Sequence, residues 1–134
     1  MTSSLSGKGR GGDININASE SVNLSGIGAT GFFSGIFTFT RAGASGDAGN
    51  TTVTTNNFRI TDNAAVNATT FNDGNAGNIT FYANTFEATN GGQIVTATDS
   101  SGDAGNMNLN VKDKITLSGI GTSLRSGLFA NTSP

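Results

Sequence analysis

Apolar and polar residues alternate along this chain in short segments that recur from one end to the other. One segment follows a Gly-rich turn, as at 79–81, a second comes a few residues later, as at 86–88, and a third precedes the next turn, as at 94–96. Alternation with a period of two is typical of β-strands that bury one face. The pattern therefore predicts three short strands after every turn.

The turns themselves repeat. The string GDAGN occurs at 46–50 and again at 102–106, and GNAGN occurs at 74–78, so successive copies are 28 residues apart. A degenerate copy, GRGGD, occupies 9–13. The chain therefore divides into a long, two short and another long unit, which we place at 9–45, 46–73, 74–101 and 102–134.

The two long units match each other beyond the turn. SVNLSGIG at 21–28 corresponds to KITLSGIG at 114–121, and SGIF at 34–37 corresponds to SGLF at 126–129. The long units are thus one super-period of 93 residues apart, from Gly9 to Gly102.

Stacked units solve a problem that one unit cannot, because three short strands alone cannot bury their apolar face. We expect each unit to coil once and its strands to pair in parallel with those of the next unit, ~4.8 Å away. The sequence therefore predicts one all-β domain over 1–134. Its fold would be a right-handed single-stranded parallel β-helix, a β-solenoid, of about four coils. The hand follows from the general preference of parallel crossovers.

The composition agrees with strands. Gly, Asn, Ser and Thr make up just over half of the residues, and these types are poor in helix interiors. Charged residues are 12%. A Gly- and Ser-rich disordered linker would have a similar composition. The regular placement of the apolar residues argues against that interpretation.

The repeated turn predicts a structural corner. We expect its glycines to supply positive φ and its asparagines to tolerate it. The asparagine amides would stack in a ladder from coil to coil, with Asp13 capping the column at its first position. Asn63 is assigned to an ordinary turn outside this ladder. The predicted corner ladder comprises Gly49, Asn50, Gly77, Asn78, Gly105 and Asn106.

Candidate chemistry is sparse. The chain has no His and no Cys, and His is the usual general base near neutral pH. Asp47 and Asp103 share one repeat position, with Asn75 between them, and we interpret both as turn-stabilising residues rather than an acid pair. The turns lack the recurring Asp of calcium-binding nonapeptide repeats. We therefore expect no catalytic residue, no cofactor and no metal site.

The net charge of −2 gives no field that would attract nucleic acid. No apolar run of ~18 residues is present, so we expect no membrane insertion, and the first ten residues lack the apolar core of a signal peptide. Two features instead predict self-association. One is the open ends of the coil, which the tail at 1–8 is too short to cover. The other is an outer column that runs from Phe37 to Phe129.

Four aromatic residues form a possible contact patch for a partner or surface. Phe37 and Phe39 fall on the outward phase of their strand, and Phe32 and Phe33 lie in the preceding insert. The alternative is that the insert folds back over its own strand.

The repeats resemble those of cyanobacterial filamentous-haemagglutinin-like proteins. The resemblance rests on GDAGN followed by alternating Ile, Thr and Asn, then LSGIG with SGIF or SGLF, and it covers 9–134. Such proteins are large secreted or cell-surface adhesins exported by two-partner secretion. The resemblance implies a non-catalytic β-helical stalk and surface-contact segment of a longer protein, with a cell-surface or glycan ligand that it does not identify. The secretion domain of that family is not recognisable here.

Two other functions remain open at this point. The chain could be a polysaccharide-binding or polysaccharide-cleaving β-helix protein, since some parallel β-helices act on polysaccharides. It could also be an engineered solenoid scaffold.

Overall fold

The computed structural model describes residues 1–133, which contain eleven β-strands and no helix. Pro134, the last residue of the predicted fourth unit, lies outside the described residues. The strands are β1 (Thr2–Leu5), β2 (Ile14–Asn17), β3 (Ser21–Ser25), β4 (Gly35–Thr40), β5 (Thr51–Thr54), β6 (Asn57–Thr61), β7 (Ala65–Thr70), β8 (Ile79–Thr89), β9 (Gln93–Thr98), β10 (Met107–Ser118) and β11 (Gly127–Thr132).

The strands stack in three columns, and every pairing between them is parallel. The first column contains β2, β5 and the opening halves of β8 and β10. The second contains β3, β6 and the closing halves of β8 and β10. The third contains β1, β4, β7, β9 and β11. The predicted all-β parallel β-solenoid is confirmed.

The number of turns differs slightly from the predicted four coils. The register of the first column runs from Ile14 through Thr51 and Ile79 to Met107. These residues define four levels, and about three turns of the chain connect the first level to the fourth. Each of the four repeat units supplies one level, so the predicted number of four coils is the number of levels rather than the number of turns. The right hand of the coil stays a prediction.

Aromatic rings fill the core between the first two columns. Phe58 and Phe86 are register partners with ring centroids 5.2 Å apart, and Phe81 lies 4.6 Å from Phe58 and 5.0 Å from Phe86. All three side chains are buried, as predicted. Such contacts add to the large apolar area that each ring removes from water.

Two threonine hydroxyls that face inward from the third column reach the Gly-rich corner. Thr96 Oγ1 donates to the carbonyl oxygen of Gly105 at 2.8 Å, and Thr70 Oγ1 donates to that of Asn75 at 2.9 Å. Both side chains are buried. These bonds fasten a third-column strand to the Gly-rich turn that follows it and opens the next level.

The two ends of the solenoid differ. β1 pairs with β4, and the ammonium of Met1 donates to the Gly35 carbonyl oxygen at 2.9 Å. The tail at 1–8 was predicted to be too short to cover a coil; it covers the third column of the first level, because four residues suffice to pair with one short strand. At the other end, Ile115 and Leu117 are 48% and 45% exposed although their register partners are buried.

We expect Phe81→Ala to lower the free energy of unfolding by about 3–5 kcal/mol, because the ring is fully buried and the site cannot collapse between two paired levels. Tyr82→Ala, one residue along and 50% exposed, should cost far less. Urea unfolding of both variants measures the difference. A larger loss for Tyr82→Ala would show that the strand phase is assigned incorrectly.

Candidate functional site

The predicted corner ladder is built from side-chain oxygens and backbone N–H groups. The backbone N–H of Asn78 donates to Asn50 Oδ1 at 2.9 Å, and that of Asn106 donates to Asn78 Oδ1 at 2.8 Å. The amides were expected to bond to each other. They bond instead to the main chain of the next level, where an otherwise unpaired corner N–H needs an acceptor.

Asp13 is the first acceptor of this ladder rather than its cap. The backbone N–H of Asn50 donates to Asp13 Oδ1 at 2.7 Å. A carboxylate serves as well as an amide here, because the ladder needs only an oxygen acceptor.

The Arg10 guanidinium also binds this carboxylate, at 2.7 Å from Oδ1. That pair and the Asn50 N–H together lower the pKa of Asp13. A lowered pKa means that these bonds add stability above the pKa of an unfolded-chain Asp, ~3.9, and lose it as the pH falls through the lower folded-state value. Both side chains are largely exposed, so solvent screening keeps this contribution small.

A second ladder runs beside the first and includes the Asp47 carboxylate and the Asp103 backbone N–H. The backbone N–H of Asn75 donates to Asp47 Oδ1 at 2.7 Å, and that of Asp103 donates to Asn75 Oδ1 at 2.9 Å. The structure thus places Asp47 and Asp103 in one column, separated by a full level. Asp47 acts there as a structural acceptor.

The corner glycines are required by close packing rather than by backbone angle. A Cβ added to Gly77 would collide with the carbonyl oxygen of Gly49, and one added to Gly105 would collide with that of Gly77. None of these three glycines, nor Asn50, Asn78 or Asn106, has positive φ. Positive φ is therefore the wrong reason for Gly and Asn at these positions, although Gly46 does have φ 125°. The glycines are required because the levels approach too closely for a side chain, and Asn50 and Asn78 supply the ladder oxygens.

Asn63 does not lie in an ordinary turn. It is only 4% exposed and has φ 62°. Its Nδ2 donates to Thr122 Oγ1 at 2.9 Å, and its backbone N–H donates to the Asn90 carbonyl oxygen at 3.1 Å. Asn63 links the second level to the fourth, an interaction that the 28-residue repeat does not show.

The extra residues of the long units form small antiparallel hairpins. In the first, Ile27 pairs with Phe33, and in the last, Ile120 pairs with Arg125. Phe32, just after the turn of the first hairpin, is 79% exposed, and Phe33 is 40% exposed. The insert therefore bonds to itself and leaves both rings accessible.

The structure does not bring all four candidate aromatics into one concavity. Phe37 and Phe39 line a concavity of about 200 Å³ together with Phe71, which the sequence analysis missed. Phe71 directly follows β7 and continues its outward phase, two residues beyond Thr69, and that phase could have identified it. The outer column is confirmed in register, from Phe37 through Asn67 and Val95 to Phe129.

A groove that the sequence analysis also missed lies where the first column meets the second. Its volume is about 700 Å³. One wall is the outward column of Asn17, Thr54, Tyr82 and Asn110, which are successive register partners. The small side chains of Ala18, Thr55 and Ala83 line its floor. Alternation placed the chain's single tyrosine, Tyr82, on an outward phase, but it gave no signal for a concavity beside that ring.

Asparagine amides form the opposite wall of this groove. Asn84 Nδ2 donates to Asn56 Oδ1 at 3.2 Å, one level away. The only charged side chain among the lining residues is Lys112, at the fourth level. The middle two levels of the groove therefore present only neutral polar groups and one aromatic ring.

Within residues 1–133, no three His, Cys, Asp or Glu side chains are grouped closely enough to hold a metal ion. Over the same residues, no helix has the length and apolar character needed to cross a membrane.

Comparison with known proteins adds no family assignment. No family model, no curated protein and no solved structure matches the chain. The likeness to haemagglutinin-type repeats stays a prediction from the sequence, and the fold rests on the strand registers.

We expect Asn78→Ala to lower the free energy of unfolding by about 0.5–1.5 kcal/mol, because the Asn106 N–H loses its acceptor. Asn78→Asp should lose less, because it keeps an oxygen in the place that Asp13 occupies in the same column. Urea unfolding of the two variants provides the comparison. Equal losses for alanine and aspartate would show that the side-chain oxygen contributes nothing.

We expect the isolated chain to associate with itself at high micromolar concentration, through its open ends or its outer Phe column. Substituting Phe37 and Phe39 by Thr should weaken a side-by-side contact and leave an end-to-end contact intact. Sedimentation velocity over a concentration series separates the two. A wild-type chain that stays monomeric at millimolar concentration would contradict both routes.

Proposed function

We propose that the chain is a non-catalytic, β-helical stalk segment of a large secreted or cell-surface adhesin. The observation that carries this proposal is the continuity of hydrogen bonding from each level to the next. Repeat proteins draw their stability from such nearest-neighbour contacts, which can extend without limit along one axis.

The outward polar residues of the second and third levels bond to each other in register. Arg59 Nε lies 3.4 Å from Glu87 Oε1, and Thr85 Oγ1 donates to Asn57 Oδ1 at 2.8 Å. Side chains that could otherwise face a substrate are thus engaged between levels. This arrangement favours a mechanical role over catalysis.

The surface location rests on the resemblance of the repeats to two-partner secretion adhesins. Two facts about the outer surface agree with it. The outward columns are dominated by uncharged Thr, Asn and Ser, and the exposed hairpin aromatics Phe32 and Phe33 offer contact points away from the stacked levels.

A second copy of residues 14–106 inserted between Asn106 and Met107 should extend the solenoid, because Ile14 and Met107 occupy the same register position. Three added levels would lengthen the particle by ~14 Å at ~4.8 Å per level. Small-angle X-ray scattering measures this as the maximum dimension.

The control inserts the same segment one residue later, between Met107 and Asn108. It has identical length and composition but shifts the alternation by one at the junction, which turns inward residues outward. It should unfold at lower urea. Equal stability of the two insertions would contradict a stalk built on register.

The location is tested with antibodies against the purified chain, applied to intact and permeabilised cells of the organism that makes it. Labelling of intact cells supports the adhesin proposal, and labelling only after permeabilisation contradicts it. Release of products from a panel of acidic and neutral polysaccharides would contradict the non-catalytic part.

A further inference from the structure

We infer that the groove between the first and second columns binds a neutral oligosaccharide, lying along the solenoid axis. This inference rests on the groove alone and is independent of the stalk proposal.

The shape of the groove suits an extended chain-like ligand. Its lining includes residues from all four levels, so it runs ~14 Å along the axis at ~4.8 Å per level. Its volume of about 700 Å³ lies within the ~300–1,000 Å³ typical of ligand sites. The floor of the groove is indented because the side chains of Ala18 and Ala83 are small.

Tyr82 provides an aromatic platform within the two middle levels. Its side chain is 50% exposed, and its register neighbours along the wall are the smaller Thr54 and Asn110. The ring therefore stands above both neighbours. Its face can stack against the apolar C–H face of a sugar ring, while the phenol group can donate or accept a hydrogen bond.

The amides match the hydroxyl groups of a sugar. Each asparagine side chain offers both a donor and an acceptor, as adjacent hydroxyls do. The Asn84–Asn56 bond uses one donor and one acceptor, which leaves the Asn84 oxygen and the Asn56 NH₂ group for a ligand. Asn110 Nδ2 bonds the Phe81 carbonyl oxygen at 3.3 Å, which fixes that side chain against the wall.

The electrostatics favour a neutral glycan. The residues that line the groove include no carboxylate, and Lys112 at the fourth level is their single charge. A polyanionic sugar carries several negative charges, and the lining residues of the four levels supply one positive charge to pair with them. An uncharged chain needs only hydroxyl, amide and aromatic contacts, which are the groups present.

An extended peptide fits less well, because the backbone N–H groups along the groove are already bonded to carbonyl oxygens of neighbouring levels. The N–H of Thr55 donates to the Tyr82 carbonyl oxygen at 2.9 Å, and that of Asn84 donates to the Asn56 carbonyl oxygen at 2.9 Å. Peptides that bind strands depend on free backbone groups at a sheet edge. Here the groove presents columns of side chains instead.

The test uses the tyrosine itself as the reporter. Tyr82 is the only tyrosine and the chain has no tryptophan, so tyrosine-band fluorescence reports on the groove alone. We expect a saturable change with at least one of three neutral tetrasaccharides, built from β-1,4-glucose, β-1,4-mannose or α-1,4-glucose units. A galacturonate tetramer and an extended Ser/Thr-rich peptide serve as the other arms.

Matched variants then locate the site by calorimetric titration with the tetrasaccharide that binds. Tyr82→Thr should weaken binding at least tenfold, and the variant should fold, because Thr54 occupies the same position one level away. Asn84→Ala should weaken binding several-fold. Phe32→Ala, which removes an exposed ring that does not line the groove, should bind like wild type.

Three outcomes would overturn the inference. They are no response to any neutral tetrasaccharide, binding of the galacturonate or peptide arm alone, and an equal loss for Phe32→Ala and Tyr82→Thr. None of them bears on surface labelling or on the length of the extended solenoid, so failure of this inference and failure of the stalk proposal are distinguishable.

Discussion

The stacked columns of this solenoid depend on one constraint, which is that each strand and corner residue packs on its own counterpart in the next level. At the Gly-rich corner the levels approach so closely that Gly77 has no room for a Cβ beneath the Gly49 carbonyl oxygen. At the same corner, Asn78 and Asn50 close the gap with a backbone-to-side-chain hydrogen bond. The corner sets the spacing between successive levels, and the strands on either side of it pair in parallel at that spacing.

The same constraint distributes stability unevenly along the axis. Residues of the middle levels have neighbours above and below, and Phe58, Phe81 and Phe86 are almost completely buried there. Ile115 and Leu117 have the inward phase of those residues but a neighbour on one side only, and each remains nearly half exposed. Position along the axis, more than residue type, decides how much each apolar side chain contributes.

The strand columns were predictable because they arise from two local signals, alternation and turn spacing. Repetition supplied the register directly, since residues 28 apart stack. Features that break the repeat were not predictable in this way. β1 takes the third-column position beside β4, but its sequence, TSSL, lacks the apolar alternation of that column. The bond from Asn63 to Thr122 connects residues that share no repeat position.

One candidate surface was predictable from the sequence and the other was not. The outer register from Phe37 to Phe129 followed from spacing, whereas the groove beside Tyr82 depends on where the chain bends between columns. Alternation fixes which way a side chain points but not the angle between two sheets, so a concavity at their junction is invisible to it. The bonding pattern of the ladders was missed for a related reason, because spacing identifies partners without identifying atoms.

The corner ladders also give the solenoid a direction. In every rung, a side-chain oxygen of the earlier level accepts from a backbone N–H of the later one, as between Asn50 and Asn78 or Asp47 and Asn75. The backbone bonds at the same corner run the opposite way, as from the Ala48 N–H to the Asn75 carbonyl oxygen, so the direction belongs to the side-chain ladders, whose last acceptors are Asp103 and Asn106. A completed level already displays the side-chain acceptors that a following level needs. The ladders can therefore be extended one level at a time from the amino-terminal end, in the order in which the ribosome synthesises the chain.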